Sequence, residues 1–224
     1  DCSRFIRENY PEYYEIYQEI ETPVQKADLW RYLIIYHYGG WYCDMDIYGY
    51  WSFGDINIPR KYGDRKDLLI VEKENPVPFR SGKTCPRLPQ YAQYWFGATP
   101  KHPVLLKVIQ RVVRQLKYKE DFRREGDEET LYLTGPVPFT DAIQKYMNHD
   151  VLVLESNFFD AICQPLYYVS SLFAKLKNTP VVHRCDGSWR ESESSHNTDV
   201  WAILIYTVIL MGLLIFLLRW STKL

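Results

Sequence analysis

The chain has 224 residues, of which 46% are hydrophobic and 25% are charged. This composition is typical of globular proteins and excludes a largely disordered chain. Because 27 basic residues are balanced by 28 acidic ones, the basic excess of nucleic-acid-binding proteins is missing, and we expect no nucleic-acid partner. Aromatic residues make up 16% of the chain, which suits either a tyrosine-rich core or surfaces that stack on sugars or bases.

The N-terminal part of the chain is predicted to be helical. Residues 3–20 are rich in tyrosine, and Pro11 divides them into two short helical segments. Residues 24–38 give the strongest helical pattern in the chain, because their apolar side chains recur at helical spacing. The pair Gly39 and Gly40 follows directly and is typical of a helix C-cap.

Short apolar segments then alternate with further helical patterns. Residues 41–43 predict a short buried strand, and the other predicted strands are residues 68–72, 151–154 and 181–183. One helix is expected after Pro103 and another near Thr140, where Asp141 suits a first turn. The charged run 117–129 is expected to be a solvated loop or a helix end. Such alternation predicts an α/β domain with a mostly parallel sheet.

The C-terminal region contains a long apolar segment. None of the 19 residues in 200–218 is charged. At about 1.5 Å per residue, a helix of this length is about 28 Å long, close to the thickness of a bilayer's hydrocarbon core. We therefore predict one membrane-spanning helix at 200–218, after a linker at 191–199 and before a short tail at 219–224. A buried core helix is the alternative.

Two carboxylates, Asp44 and Asp46, directly follow the strand predicted at 41–43. In open α/β sheets, ligands bind at the carboxyl ends of strands. Carboxylate oxygens suit Mg²⁺ or Mn²⁺, which also bind substrate phosphates. Most Asp-x-Asp sequences are solvated turns, but the glycines and the apolar strand directly upstream favour a metal site here.

Asp28 and Arg31 lie one turn apart on the helix predicted just before that strand. Their spacing is typical of a surface ion pair worth a few tenths of a kcal/mol. The alternative is that both line the crevice next to Asp44, because their helix leads into its strand. There a carboxylate would bind sugar hydroxyls, and a guanidinium would bind phosphate or hydroxyl oxygens.

His183 ends the strand predicted at 181–183, and Gly187, Ser188 and Trp189 follow it. A single histidine is more often structural than functional. At this strand end, however, the imidazole could complete a metal site, while the Ser188 hydroxyl and nearby amides could bind a diphosphate.

The segment 134–136, Thr-Gly-Pro, precedes Phe139, Thr140 and Asp141. It suits a plain connection from a strand to a helix. Its backbone amides would alternatively suit a polar ligand.

Three of these segments together resemble a known family. The string KADLWRYLIIYHYGGWYCDMDIYGY at 26–50 is similar to the signature of glycosyltransferase family 32, whose sugar-binding region contains a DXD motif. LTGPVPFTDA at 133–142 is similar to the family's TGP…FT block, and HRCDGSWR at 183–190 to its His-x-x-x-Gly-Ser-Trp ending. The family includes fungal Golgi α-1,6-mannosyltransferases, inositol-phosphorylceramide mannosyltransferases and bacterial capsule enzymes, and clostridial glucosylating toxins share its core.

The resemblance implies a GT-A-type, Rossmann-like nucleotide-sugar-binding fold and retaining transfer that depends on Mn²⁺ or Mg²⁺. The implied metal ligands are Asp44, Asp46 and His183. The implied donor-sugar contacts are Asp28, Arg31 and Asp44, and the implied diphosphate contacts are Ser188 and Trp189. No catalytic nucleophile is assigned.

On this basis residues 1–190 are predicted to form a catalytic domain anchored in the bilayer by the C-terminal helix, with the domain in the Golgi lumen. The expected donor is GDP-mannose or a UDP-hexose, and the expected acceptor is a glycan or a glycolipid such as inositol phosphorylceramide. The family's first strand is expected to be missing before Asp1. A catalytically inactive relative that binds or assembles is therefore the main alternative, and another metal-dependent phosphate-ester enzyme is a third.

Overall fold

The computed structural model describes residues 1–49, 67–74, 86–119, 124, 126–147, 150–155, 181–183, 207–208 and 211–212. Side chains are described for these residues except at 48–49 and 181–183.

Three helices open the chain, namely α1 (Cys2–Asn9), α2 (Pro11–Glu19) and α3 (Pro23–Tyr38). The predicted division at Pro11 is confirmed, since proline begins α2, where its missing N–H costs no hydrogen bond. The predicted C-cap of α3 is also confirmed. Gly39 has a φ of +70°, and its N–H donates to the Ile35 carbonyl at 2.8 Å.

The strands are β1 (Gly40–Cys43), β2 (Ile47–Gly49), β3 (Leu69–Glu74), β4 (Gln90–Tyr91), β5 (Trp95–Ala98), β6 (Val151–Leu154) and β7 (Val181–His183). The later helices are α4 (Pro103–Lys117), α5 (Gly126–Leu133) and α6 (Pro136–Lys145). All four predicted strands and the helix after Pro103 are confirmed. No sequence pattern predicted β2, β4, β5 or α5, and the charged run 117–129 ends inside α5.

The larger sheet has the order β1-β5-β3-β4, and β6 also pairs with β3. The prediction of a mostly parallel sheet is wrong for the described strands, because β5 runs antiparallel to both β1 and β3 and β4 runs antiparallel to β3. Only β6 pairs in parallel with β3 among these strands. Since β5 separates them, β1 and β3 still point the same way, and the carboxyl ends of β1, β3 and β6 meet at one edge. Asp44 follows β1 at that edge.

Helices α3 and α4 cover one face of this sheet and form the main core. The predicted apolar side of α4 is confirmed, because Val104, Val108, Val112 and Leu116 are all buried. They pack in one cluster with α3 and the sheet. The prediction that β1 is buried is wrong, since Trp41 and Tyr42 are partly exposed and Cys43 is exposed. The reason is that β1 is the terminal strand in the described order.

The segment 134–136 connects two helices, α5 and α6, so the prediction of a strand-to-helix connection is wrong. Helix α6 begins at Pro136, four residues before Thr140. Thr140 and Asp141 therefore lie inside the helix, and Asp141 is not in its first turn. The sequence pattern placed this helix start too late because Pro136 and Pro138 obscured its first turn.

The predicted membrane span at 200–218 lies outside the described residues, apart from the helical pairs 207–208 and 211–212. The linker 191–199 and the tail 219–224 are outside them as well. Among the helices that the structure describes, none has the length and apolar character needed to cross a bilayer.

Replacing Gly39 by alanine is expected to destabilise the fold more than the same change at Gly40. Both residues have positive φ angles, +70° and +93°, so an alanine at either costs about 1–3 kcal/mol of backbone strain. A Cβ at Gly39 would also lie 2.7 Å from Cδ of Pro100, whereas a Cβ at Gly40 meets no atom within 4 Å. We expect Gly39→Ala to lose about 1–3 kcal/mol more than Gly40→Ala in urea unfolding. Equal losses would show that the contact with Pro100 contributes nothing.

Candidate functional site

Helix α3 buries both of its central charged residues. Asp28 has no exposed surface, and Arg31 is 4% exposed. Their ion pair joins Asp28 Oδ1 to Arg31 Nη2 at 2.9 Å. The expectation of a surface ion pair is therefore wrong, because this side of α3 faces the sheet and not solvent.

Arg31 also connects α3 to the end of β1. Its Nη1 lies 3.2 Å from Asp44 Oδ1 and donates to the carbonyl of Gln93 at 3.2 Å. Gln93 belongs to the connection between β4 and β5. One guanidinium thus holds the helix, the residue after β1 and the neighbouring connection together, and it brings Asp28 and Asp44 into one cluster.

Tyr42 completes the contacts of Asp44. Its hydroxyl donates to Asp44 Oδ1 at 2.6 Å, and its ring centroid lies 4.6 Å from the Arg31 guanidinium carbon. Residues i and i+2 of a strand point to the same side, which explains how Tyr42 and Asp44 reach the same guanidinium. No role was predicted for Tyr42, although a tyrosine two residues before the first aspartate was an available signal.

The electrostatics of the cluster follow from its burial. Burial raises the pKa of Asp28 to about 6, although Arg31 and the hydrogen bond from Thr134 act in the opposite direction. Burial alone would lower the pKa of Arg31, but Asp28 and Asp44 outweigh it and raise that pKa. Arg31 is therefore a permanent cation that holds two carboxylates. Burial also raises the pKa of Tyr42, which keeps its phenol protonated as a donor.

A second group of buried polar residues surrounds Asp28. The Thr134 hydroxyl donates to Asp28 Oδ2 at 2.7 Å. The Tyr32 hydroxyl lies 3.0 Å from the Thr134 carbonyl and also hydrogen-bonds the side-chain oxygen of Gln93. The backbone amides of the segment 134–136 were predicted to suit a polar ligand, whereas the contact with Asp28 is made by the threonine side chain. No sequence signal indicated Gln93. Tyr32 lies in the string at 26–50 that resembles the family signature, but no role was predicted for it.

Asp46 lies in the turn between β1 and β2, where the Ile47 N–H donates to the Asp44 carbonyl at 3.2 Å. Strand β2 pairs with β7 so that Ile47 is opposite His183. The backbone of His183 is therefore brought beside the residue that follows Asp46. The side chain of His183, together with Ser188 and Trp189, lies outside the described residues.

The oxygens of Asp44 and Asp46 fit a hard divalent cation. Two carboxylates are sufficient protein ligands for Mg²⁺, which keeps waters and takes substrate phosphates as further ligands. Tyr42 and Arg31 both contact Oδ1 of Asp44. Within the described side chains, no group of three or more His, Cys, Asp or Glu residues could hold a metal ion.

Comparisons with known proteins agree with these features. Residues 2–63 match the family model described as "Glycosyltransferase sugar-binding region containing DXD motif". An initiation-specific α-1,6-mannosyltransferase of Schizosaccharomyces pombe is 30% identical over 79% of this chain and 50% of its own length. The mannosyl phosphorylinositol ceramide synthase SUR1 of Saccharomyces cerevisiae is 43% identical over 73% of this chain and 36% of its own length. The resemblance predicted from the motifs is thereby confirmed.

Among solved structures, the PaToxG glycosyltransferase is similar, with a TM-score of 0.45 and 18% identity over 80% of this chain and 50% of that chain. The chain spans about half the length, or less, of the two curated relatives named above.

Proposed function

We propose that this chain, whose residues 2–63 match a glycosyltransferase sugar-binding region, is a metal-dependent retaining glycosyltransferase of GT-A type. It would move a hexose, with mannose favoured, from a nucleotide sugar. The observation that carries the proposal is the buried cluster of Asp28, Arg31 and Asp44, which lies directly before Asp46. One relative named an α-1,6-mannosyltransferase and one named a mannosyl phosphorylinositol ceramide synthase support mannose as the sugar.

In this proposal Asp28 and Arg31 bind the donor sugar. Both side chains are fixed by several contacts before any ligand arrives, so little ordering is needed when the sugar binds. Arg31 Nε is buried and has no hydrogen-bond partner in the described part of the structure. A buried donor without a partner is costly, and a ligand oxygen would satisfy it.

The metal would be held by Asp46, with Asp44 and His183 as further ligands. The pairing of Ile47 with His183 supports this set, because it brings the His183 backbone close to the Asp46 turn. Bound Mn²⁺ or Mg²⁺ would stabilise the charge that develops on the departing nucleoside diphosphate. Ser188 and Trp189 are proposed to contact that diphosphate.

The proposed donor is GDP-mannose, with a UDP-hexose as the other choice, and the proposed acceptor is a glycan or a glycolipid. The relative named a mannosyl phosphorylinositol ceramide synthase supports a glycolipid. The uncharged segment 200–218 supports a chain anchored in a membrane, for which we propose the Golgi with the catalytic domain lumenal.

We expect the chain to release nucleoside diphosphate from one member of a panel of GDP-mannose and UDP-hexoses in the presence of Mn²⁺. The variant Asp44→Ala/Asp46→Ala should lose at least about 100-fold of this turnover, because it removes both carboxylates of the turn. The matched control Glu15→Ala/Glu19→Ala also removes two acids, but from the exposed side of α2, and should leave turnover unchanged. A folded parent chain that releases diphosphate from no donor would contradict the proposal.

A further inference from the structure

We propose that Thr134 is a positioning residue for the donor sugar, acting through its hydrogen bond to Asp28. The proposal rests on the function proposed above and deepens it, since it assigns a role in sugar recognition to a residue outside the Asp28–Asp46 segment. Thr134 is as fully buried as Asp28, and in this proposal it acts on the substrate only through that carboxylate.

The carboxylate of Asp28 is held from two sides. Oδ1 pairs with Arg31 Nη2 at 2.9 Å, and Oδ2 accepts from the Thr134 hydroxyl at 2.7 Å. The χ2 angle of an aspartate has only a broad preference, so a carboxylate held at one oxygen can still rotate. The second contact fixes its plane, which decides where a sugar hydroxyl can donate.

The turn that carries Thr134 is fixed by contacts that do not involve Asp28. The N–H groups of Thr134 and Gly135 both donate to the Thr130 carbonyl, at 3.2 and 2.9 Å. The Tyr32 hydroxyl lies 3.0 Å from the Thr134 carbonyl. Because the threonine is held independently, it can set the orientation of Asp28.

Each residue of the Thr-Gly-Pro segment then has a physical reason. Thr134 supplies the hydroxyl. A Cβ at Gly135 would lie 2.9 Å from the Thr130 carbonyl oxygen, so glycine permits the close approach that closes the turn. Pro136 begins α6 at a position where its missing N–H costs no hydrogen bond.

The test compares binding of GDP-mannose and GDP, each with Mn²⁺, because GDP keeps the nucleoside diphosphate and lacks the sugar. Thr134→Val should weaken GDP-mannose binding about 10–100-fold, as expected for loss of a hydrogen bond to a charged group, and leave GDP binding within about twofold. Thr134→Ser keeps the hydroxyl and should restore binding of the sugar nucleotide.

The matched control is Thr140→Val. Thr140 is equally buried, but its hydroxyl accepts from the Tyr91 backbone N–H at 3.0 Å. We expect Thr140→Val to lower the stability of the fold without selectively weakening the binding of GDP-mannose. If Thr134→Val does not fold, Thr134→Ala removes the same hydroxyl with less bulk.

Three outcomes would overturn the proposal. If Thr134→Val weakens the binding of GDP-mannose and of GDP equally, or weakens the binding of neither, the positioning role is wrong while the proposed function stands. If the parent chain binds GDP-mannose no better than GDP and turns over no donor, the proposed function fails as well.

Discussion

Arg31→Met is expected to lose about 3–5 kcal/mol of unfolding free energy at neutral pH, the cost of leaving a buried ion without its partner. Arg31 is the ion-pair partner of Asp28 at 2.9 Å and also contacts Asp44 at 3.2 Å. Methionine keeps the length of the side chain but supplies neither charge nor donors. Denaturant unfolding monitored by circular dichroism measures the loss.

The loss should depend on pH. Burial already raises the pKa of Asp28 to about 6, and Arg31 opposes that rise. Without the guanidinium the pKa of Asp28 rises further, so the folded variant binds a proton that the unfolded chain releases. The free energy of unfolding of the variant therefore falls as the pH rises from the ordinary pKa of an aspartate to the raised pKa of Asp28 in the folded variant. We expect the difference from the parent chain to be smaller at pH 5 than at pH 8, and a constant difference would contradict this account.

Arg111→Met is the matched control for the same exchange at the surface. Arg111 pairs with Asp141 at 2.5 Å, but its side chain is 40% exposed, and Asp141 keeps its contacts with Arg87. A surface pair of this kind contributes about 0–1 kcal/mol. A loss at Arg111 equal to that at Arg31 would show that burial is not the cause.

Asp46→Asn is expected to raise the Mn²⁺ concentration for half-maximal turnover at least about 100-fold, which corresponds to about 2.7 kcal/mol. Asp44→Asn should raise it less, by about 10-fold. The reason is that Oδ1 of Asp44 already accepts a hydrogen bond from the Tyr42 hydroxyl and lies 3.2 Å from Arg31 Nη1, and an amide oxygen keeps both contacts. Asp44→Asn should instead weaken binding of the sugar nucleotide.

Titration of diphosphate release with Mn²⁺, at saturating and at limiting donor, separates the two effects. Asn at either position conserves size, so folding is expected to be kept in both variants. Equal shifts of the Mn²⁺ dependence at the two positions would mean that both carboxylates bind the metal equally.

Long helices were predictable from the sequence because their periodicity is carried over many residues. Helices α3 and α4 show this, and the glycine pair fixed the end of α3 correctly. Strands β4 and β5, with two and four residues, are too short for a pattern. Their absence from the prediction is why the sheet was expected to be mostly parallel.

The candidate site was only partly predictable, because its contacts join distant parts of the chain. The spacing of Asp28 and Arg31 could not tell a buried pair from an exposed one, although the apolar residues around them were a usable signal. Gln93 contacts Arg31 through its backbone carbonyl, and any residue type at this position would supply that carbonyl. Thr134 lies 106 residues from Asp28, and only the folded chain shows their contact.

The glycine link between α3 and β1 has a consequence for insertions and deletions. Gly39 ends α3 and Gly40 begins β1. The helix that carries Arg31 is therefore joined to the strand that leads to Tyr42 and Asp44 without a loop that could absorb a change of length. Adding one residue to the link would move the strand by one register position and turn both side chains to the opposite face of the sheet. The number of residues between α3 and β1 therefore determines whether the cluster of Arg31, Tyr42 and Asp44 can form. We expect tolerated changes of length to fall elsewhere in the chain.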